Sequence, residues 1–446
     1  MIALLKKTGL LWTMLLAIAC GDTAGNPIIG LDGGGGATDA AALADVGGGS
    51  DAASGLDGTM APDAVALEDS GQFPDAAAPS DAGAADTGEV DAGAGDAGAG
   101  DAGSAEDAGT PLRLPRLVVS SAQGISIWDR AHQLSADRAA DVMLSVGGPA
   151  GGVGPLAVGS DRIFAAVNGA SGGVVVLEQA STLGGAAAPL MTMAGLQVSK
   201  LSVVQDRLYA MSTVAACAGP SCIGLRVFDG AGGLGAGATW RTNLFHMWGQ
   251  LPSFAVLGPT ARVYAGQISG AGLLVYGATS TRTGDQPASF ALDPGAYWAL
   301  GVEGDQLYAG GDAEVGHSGV SIWTGALSAS GATAPAVTLR SGFPPGQIFI
   351  ADLAVRDDVL AVPLRDRNSV LIYEHASQIR ADRAPDAVLT NPALSAPTRV
   401  LFGAAGRLYV LDDDGVLIFQ PGLVGWAFVA EIKTGLTVPR DLALVE

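Results

Sequence analysis

One short pattern recurs through the last three quarters of the chain: glycine, apolar, any residue, apolar, aromatic. It reads GISIW at 124–128, GLRVF at 224–228, GLLVY at 272–276, GVSIW at 319–323 and GVLIF at 415–419, with looser copies GVVVL at 173–177 and SVLIY at 369–373. That makes seven copies. Each is preceded by a second apolar run: RLVV (116–119), DRIFA (161–165), DRLYA (206–210), ARVYA (261–265), DQLYA (305–309), DVLAV (358–362) and GRLYV (406–410). Alternating apolar residues bounded by Gly and Asp turns predict β-strands rather than helices.

A third kind of run follows the aromatic one, as in PLMTM (189–193), PAVTL (335–339) and DAVLT (386–390). A fourth precedes the next DRLY-like run: PLAVG (155–159), KLSVV (200–204), SFAVL (253–257), WALGV (298–302), ADLAV (351–355) and TRVLF (398–402). Four strands per repeat, recurring every 44 to 55 residues, describe the blade of a β-propeller. The expected fold over 111–446 is all-β, a seven-bladed β-propeller. The chain's first run, RLVVS, corresponds to the second strand of a blade. Its last, DLALV (441–445), corresponds to the innermost strand. The C-terminal strand is therefore expected to complete blade one and close the ring, which removes an open sheet edge. A solenoid of the same strands would want distinct capping repeats, and none is visible.

The 446-residue chain carries a formal net charge of −21, spread very unevenly. Residues 21–110 hold 18 Asp or Glu and no Lys or Arg, whereas 111–446 carry only −5. The segment 20–110 is built from Asp, Ala, Gly, Ser and Pro, has Phe73 as its one aromatic residue, and contains DAGAGDAGAGDAG at 91–103. Such a composition buries too little apolar surface to offset its ordering entropy, so a disordered tether is expected. Its r.m.s. span would be ~50–60 Å and its contour ~300 Å. The five-residue aspartate spacing is not that of an EF-hand or a β-roll calcium loop. The near-neutral repeat region excludes a basic nucleic-acid footprint.

The N-terminus reads as an address. Lys6 and Lys7 precede an apolar stretch from Thr8 to Ala19, too short to span a bilayer, which takes ~20 residues. Residues 1–19 are thus expected to be a signal peptide. Leu16-Ala17-Ile18-Ala19-Cys20 resembles a bacterial lipobox, with Ala17 at the position where Leu is commoner. The resemblance implies cleavage before Cys20, lipidation of Cys20 and a membrane anchor. Gly21 follows the Cys where Asp is absent, which in enterobacterial lipoproteins implies the outer membrane, on its periplasmic or cell-surface side. Cys217 and Cys222, within AACAGPSCIG, are expected to form a disulfide pinning a long loop of blade three.

The repeats resemble the NHL and YVTN/lactonase-like propeller families through DRLYA, GVLIF and YEHASQIRADRAPDAVLT (373–390). Those families include binding scaffolds and lactonases, so the resemblance implies a fold and leaves function open. No HExxH, GxSxG or phosphate-binding loop occurs. Four histidines (His132, His246, His317, His375) are scattered, and no metal or cofactor is expected. His132 and His375 occupy equivalent turns after the aromatic strand. Asp412-Asp413-Asp414-Gly415 reads as a tight turn rather than a metal site.

Loops offer the remaining hint. Long second-to-third loops near 213–223 and 311–318 share a face with outer-to-inner loops carrying Phe245-His246-Met247-Trp248 and Gly342-Phe343-Pro344-Pro345. Loops on a rigid scaffold commonly carry binding, although these residues could equally plug the wide end of the ring. The candidate binding residues are His246, Trp248, His317 and Phe343, in a monomeric propeller that binds a protein or glycan partner. The alternative is a lactonase-like enzyme, which would need polar side chains converging at the mouth of the central channel. The mostly apolar inner-strand runs argue against it.

Overall fold

The computed structural model describes residues 114–446 apart from 147–151, 168, 170–171, 186, 214–222, 236, 246–252, 267–271, 312–317 and 345–349. The described residues form seven β-sheets, each built on the order inner, second, third, outer. The chain is a seven-bladed β-propeller. The inner strands of blades one to seven are Pro439–Val445, Val153–Gly159, Val198–Val204, Ser253–Leu257, Tyr297–Glu303, Ala354–Arg356 and Arg399–Phe402. Blade three departs from the four-strand plan. Gly284–Gln286, from the chain of blade four, adds to its outer strand Thr242–Phe245 in parallel.

The ring closes through the C-terminal strand. Leu117 pairs with Leu444 and Val119 with Leu442, next to Arg116–Ser121 as the second strand of blade one. Burial follows from this geometry. Each blade is apolar on both faces, and the described apolar residues fall into seven clusters, one at each seam between adjacent blades. The seam of blades seven and one holds Leu117, Val119, Trp128, Tyr409, Leu411, Ile418 and Leu442. That of blades two and three holds Phe164, Val174, Leu201 and Leu208.

Two recurring residues at the start of the second strands, an Asp in the turn and an Arg just after it, explain how the blades lock, although only blades two and three carry both. The Asp occupies a hairpin turn in the left-handed region, at φ 56° for Asp161 and 57° for Asp206. There it accepts hydrogen bonds from the turn after the third strand of its own blade: Ser181 N–H to Asp161 at 2.8 Å, Gly232 N–H to Asp206 at 2.6 Å, Ser377 N–H to Asp358 at 2.5 Å. The Arg of blades one, two, four and seven reaches the next blade, whereas Arg207 of blade three pairs with Asp229 of its own. Arg116 donates to the Ala180 and Leu183 carbonyls, Arg162 to those of Ala231 and Leu234, and Arg262 to those of Ala326 and Ala329. Arg407 of blade seven completes the circle on the Leu134 carbonyl of blade one at 2.9 Å. Charge-assisted bonds to carbonyls are stronger than neutral ones. Those from Arg116 and Arg162 are buried, so each tightens a blade-to-blade seam.

The strands give the ring two distinct ends. Inner strands begin at one end, here the mouth, and turn into second strands at the other, the base. The turns between second and third strands lie at the mouth; those after the third strands lie at the base.

Candidate functional site

Aligned on the apolar residue at the same register of the inner strands (Leu156, Leu201, Phe254, Leu300, Val400, Leu442) and on Leu353, just ahead of the strand of blade six, the seven blades place seven equivalent residues just before it. These are Pro155, Lys200, Ser253, Ala299, Asp352, Arg399 and Asp441 for blades two to seven and one. Five of the seven are polar and four are charged. In blades two, three, five and one the pairing register slips immediately before this position, between Val153 and Leu156, Val198 and Lys200, Tyr297 and Ala299, and Pro439 and Asp441. Bulges of this kind re-aim side chains and favour functional sites.

The ring side chains reach from blade to blade. Asp352 of blade six accepts from Val400 N–H at 3.3 Å and lies 3.5 Å from Arg399 Nη1. Arg399 Nε lies 3.2 Å from Asp441. Asp441 in turn accepts from Leu156 N–H of blade two at 2.8 Å and from Leu442 N–H at 2.9 Å. Across the ring, Lys200 donates to Ser253 Oγ at 2.7 Å, and its ammonium sits 5.7 Å from the centre of the Phe254 ring. Asp352, Asp441 and Ser253 are buried. Lys200 and Arg399 are deep in the molecule and keep part of their surface on the channel.

Electrostatics follow from that depth. Burial lowers Lys200 to about 8, against the attraction of Asp352 and Asp441 and with the repulsion of Arg399. Burial raises the Asp441 carboxyl, opposed by Arg399 and the two N–H donors. Burial opposes the charge on Arg399 too, yet the two carboxylates more than offset it and hold its pKa up. The two carboxylates are thus committed to Arg399 and to backbone donors. Lys200 has three donors and, among the described residues, hydrogen-bonds to the neutral hydroxyl of Ser253. A cavity of about 580 Å³ fills the channel between this ring and the base, where Glu303 and Arg356 line it. That volume is in the range of small-molecule sites.

A second groove of about 430 Å³ lies at the mouth, at the seam of blades five and six, lined by Phe343, Pro344, Leu364, Arg367 and Val388. Phe343 is half-buried and packs against the apolar cluster of that seam. It is the one expected binding residue that the structure describes. His246, Trp248 and His317 lie outside the described residues, as do Cys20, Cys217 and Cys222. His375 is exposed at the base in the left-handed region, φ 54°, with Nδ1 3.7 Å from Asp358. His132 occupies the matching turn. Asp412 is a turn residue: it accepts from Asp414 N–H, Gly415 N–H and Ser395 N–H at 2.8–3.0 Å, and burial raises its carboxyl. Among the described residues no three His, Cys, Asp or Glu side chains gather as a metal-ligand set.

The inner-strand runs are mostly apolar, as the sequence shows, and yet carry a charged ring at one register. Its members stand inside runs already visible in the sequence, at the head of KLSVV, SFAVL and DLALV and within ADLAV and TRVLF. Aligning those runs on their shared apolar residue exposes the column.

No family model and no curated protein matches the chain. Solved structures do. A Bacteroides fragilis protein described as a candidate 6-phosphogluconolactonase aligns at TM-score 0.55 with 13% identity, over 76% of this chain and 100% of its own. The periplasmic gluconolactonase of Pseudomonas aeruginosa aligns at TM-score 0.52 with 15% identity, over 75% of this chain and 99% of its own. The WD40 β-propeller domain of Doa1 aligns at TM-score 0.47 with 12% identity, over 70% of this chain and 91% of its own. At these identities the first two show a shared fold alone.

Proposed function

We propose that this protein is a lipid-anchored, extracytoplasmic binding propeller that takes an anionic, hydroxyl-rich ligand of the sugar-acid class in its central channel, against the charged ring. The observation that carries the reading is the ring of unlike residues at seven equivalent positions. A repeat protein needs identical residues there only for architecture. Two cations, two carboxylates and a serine in one ring, over a cavity of about 580 Å³, suit a ligand with one negative group and several hydroxyls. Lys200 carries the spare donors for the negative group, and the groups around it are already oriented by neighbouring blades, so little ordering cost falls on binding. The lactonase names of two structural neighbours suggest the probe, not the answer. Thermal shift of residues 21–446 against a panel of neutral sugars, aldonates and uronates tests the reading. A stabilisation confined to the acids supports it; equal response to neutral sugars, or none to any, counts against it.

The second reading, hydrolysis of a sugar lactone, is favoured by one feature. A lysine held near 8 beside a cavity is poised to exchange a proton at neutral pH. Gluconolactone hydrolysis followed by pH-stat would support it if the rate above background rises through pH 8 and falls to background in Lys200→Met. Cys20 as lipid anchor and Cys217–Cys222 as a disulfide belong to the same proposal. Supporting them are the lipobox-like run and the even pairing of two cysteines in one loop.

A further inference from the structure

The third and outer strands of blade seven, Val416–Gly422 and Gly425–Ile432, form a hairpin whose tip is Leu423-Val424. Both tip side chains are fully exposed, at 107% and 100%. Turn positions normally go to Gly, Asn, Asp or Ser, which cost nothing in water, so two large apolar residues there are unusual. Their surroundings extend the feature. Phe428 is exposed, Trp426 is half-buried 6.3 Å from Phe402, and from Val416 to Ala430 there is no charged residue.

The register places this tip at the base of the ring. Gly422 pairs with Gly425 at the end where Phe402 turns toward Leu408. The described chain enters the propeller at the same end and in the adjacent blade. Arg116 starts the second strand of blade one opposite Val445, the last residue of the inner strand, and Pro115 is held there by Ala131 N–H at 2.8 Å. Leu114, just before it, is exposed. The first described residues therefore lie on the side from which the apolar hairpin projects, while the charged ring stands toward the opposite end of the inner strands.

We propose that the Leu423-Val424 hairpin is a membrane-contacting wedge that inserts into a lipid surface and turns the channel mouth away from it. The occupant follows from the end of entry. A chain held near a bilayer through Cys20 is attached to the ring at its base, and the base carries an uncharged tip flanked by Trp426 and Phe428, the residue types that settle at membrane–water interfaces. Two apolar side chains give a weak, reversible contact on their own. The anchor makes it intramolecular and raises its occupancy. The inference rests on the lipid-anchor reading for orientation in the cell, but the wedge itself is testable without the anchor.

The test is flotation of residues 21–446 with a large excess of zwitterionic phosphatidylcholine vesicles, which do not repel the acidic chain and whose excess populates a weak contact, comparing wild type with L423S/V424S. Wild type is expected to co-float and the double variant to lose roughly tenfold in bound fraction, as the burial of two aliphatic side chains implies. Its melting temperature is expected to be unchanged, since neither side chain packs. Absence of wild-type flotation, or equal flotation of both proteins, overturns the wedge. A dimer in sedimentation velocity that L423S/V424S dissolves, without vesicle binding, overturns it in favour of self-association. The anchor is read separately, from whether Cys20→Ala leaves the membrane fraction, so the two readings fail independently.

Discussion

The mouth and the base of this ring are made from the same strands and follow opposite rules. At the base two devices recur: an Asp in the hairpin turn clasps its own blade in blades two, three, five and six, and an Arg at the start of the second strand clasps the next blade in blades one, two, four and seven. At the mouth the equivalent positions read Pro, Lys, Ser, Ala, Asp, Arg and Asp. Internal repetition works as a built-in alignment. What recurs in most blades serves the architecture, and what differs at one register is free to serve a ligand. At the base the Leu423-Val424 tip likewise breaks the repeat.

The largest effect that sharpens the contrast is removal of the C-terminal strand. A chain ending at Val438 loses the partner of Arg116–Ser121, the Leu442 contacts of the seam between blades seven and one, and Asp441 from the ring. Several backbone hydrogen bonds at ~1 kcal/mol each and buried leucines at ~2 kcal/mol each are comparable with a whole domain's stability. The expected outcome is a protein recovered only as aggregate or degraded; a soluble chain with cooperative unfolding would break the closure account.

Next comes Arg399→Ala at the mouth, which strands two buried carboxylates. A loss of about 3–5 kcal/mol in urea unfolding is expected. The matching change at the base, Arg356→Ala, removes a half-exposed pair with Glu446 and is expected to cost less than about 1 kcal/mol. Equal costs would mean that the two ends are not different in kind.

Lys200 gives a pH signature. Its folded pKa is lowered to about 8 from 10.5, so between these values the unfolded chain holds a proton that the folded one has released. Its contribution to stability therefore rises with pH across that window. The expected gain is on the order of 2 kcal/mol from pH 8 to pH 10, measured by urea unfolding relative to Lys200→Met, in which it is absent. A wild-type curve parallel to that of the variant would place Lys200 in water. The smallest expected effect is deletion of residues 22–105, which is predicted to leave the melting temperature within about 2 °C.

Much of this architecture was legible beforehand. The glycine-apolar-aromatic runs and DRLY-like runs carry strand, blade count and closure because strand periodicity and turn chemistry are local properties of sequence. The fifth strand of blade three, Gly284–Gln286, was not legible: GDQ has no apolar alternation, and its pairing with Thr242–Phe245 is set by the neighbouring blade. The site was half visible. Lys200, Ser253, Asp352, Arg399 and Asp441 stood in plain view, each inside an apolar run, and a lone charge at a strand end reads as solvated. Only the ring brings five separate strand ends onto one channel. Phe343 was legible as a loop aromatic, and the structure places it in a seam groove at the mouth rather than on the channel.

The most direct test of the account is isothermal titration of residues 21–446 with gluconate at pH 7, in wild type, Lys200→Met and Arg356→Ala. The account predicts binding to wild type, a loss of roughly tenfold or more in Lys200→Met, and wild-type affinity in Arg356→Ala at the base. Binding that survives Lys200→Met and disappears with Arg356→Ala would put the ligand at the wrong end of the channel and contradict it.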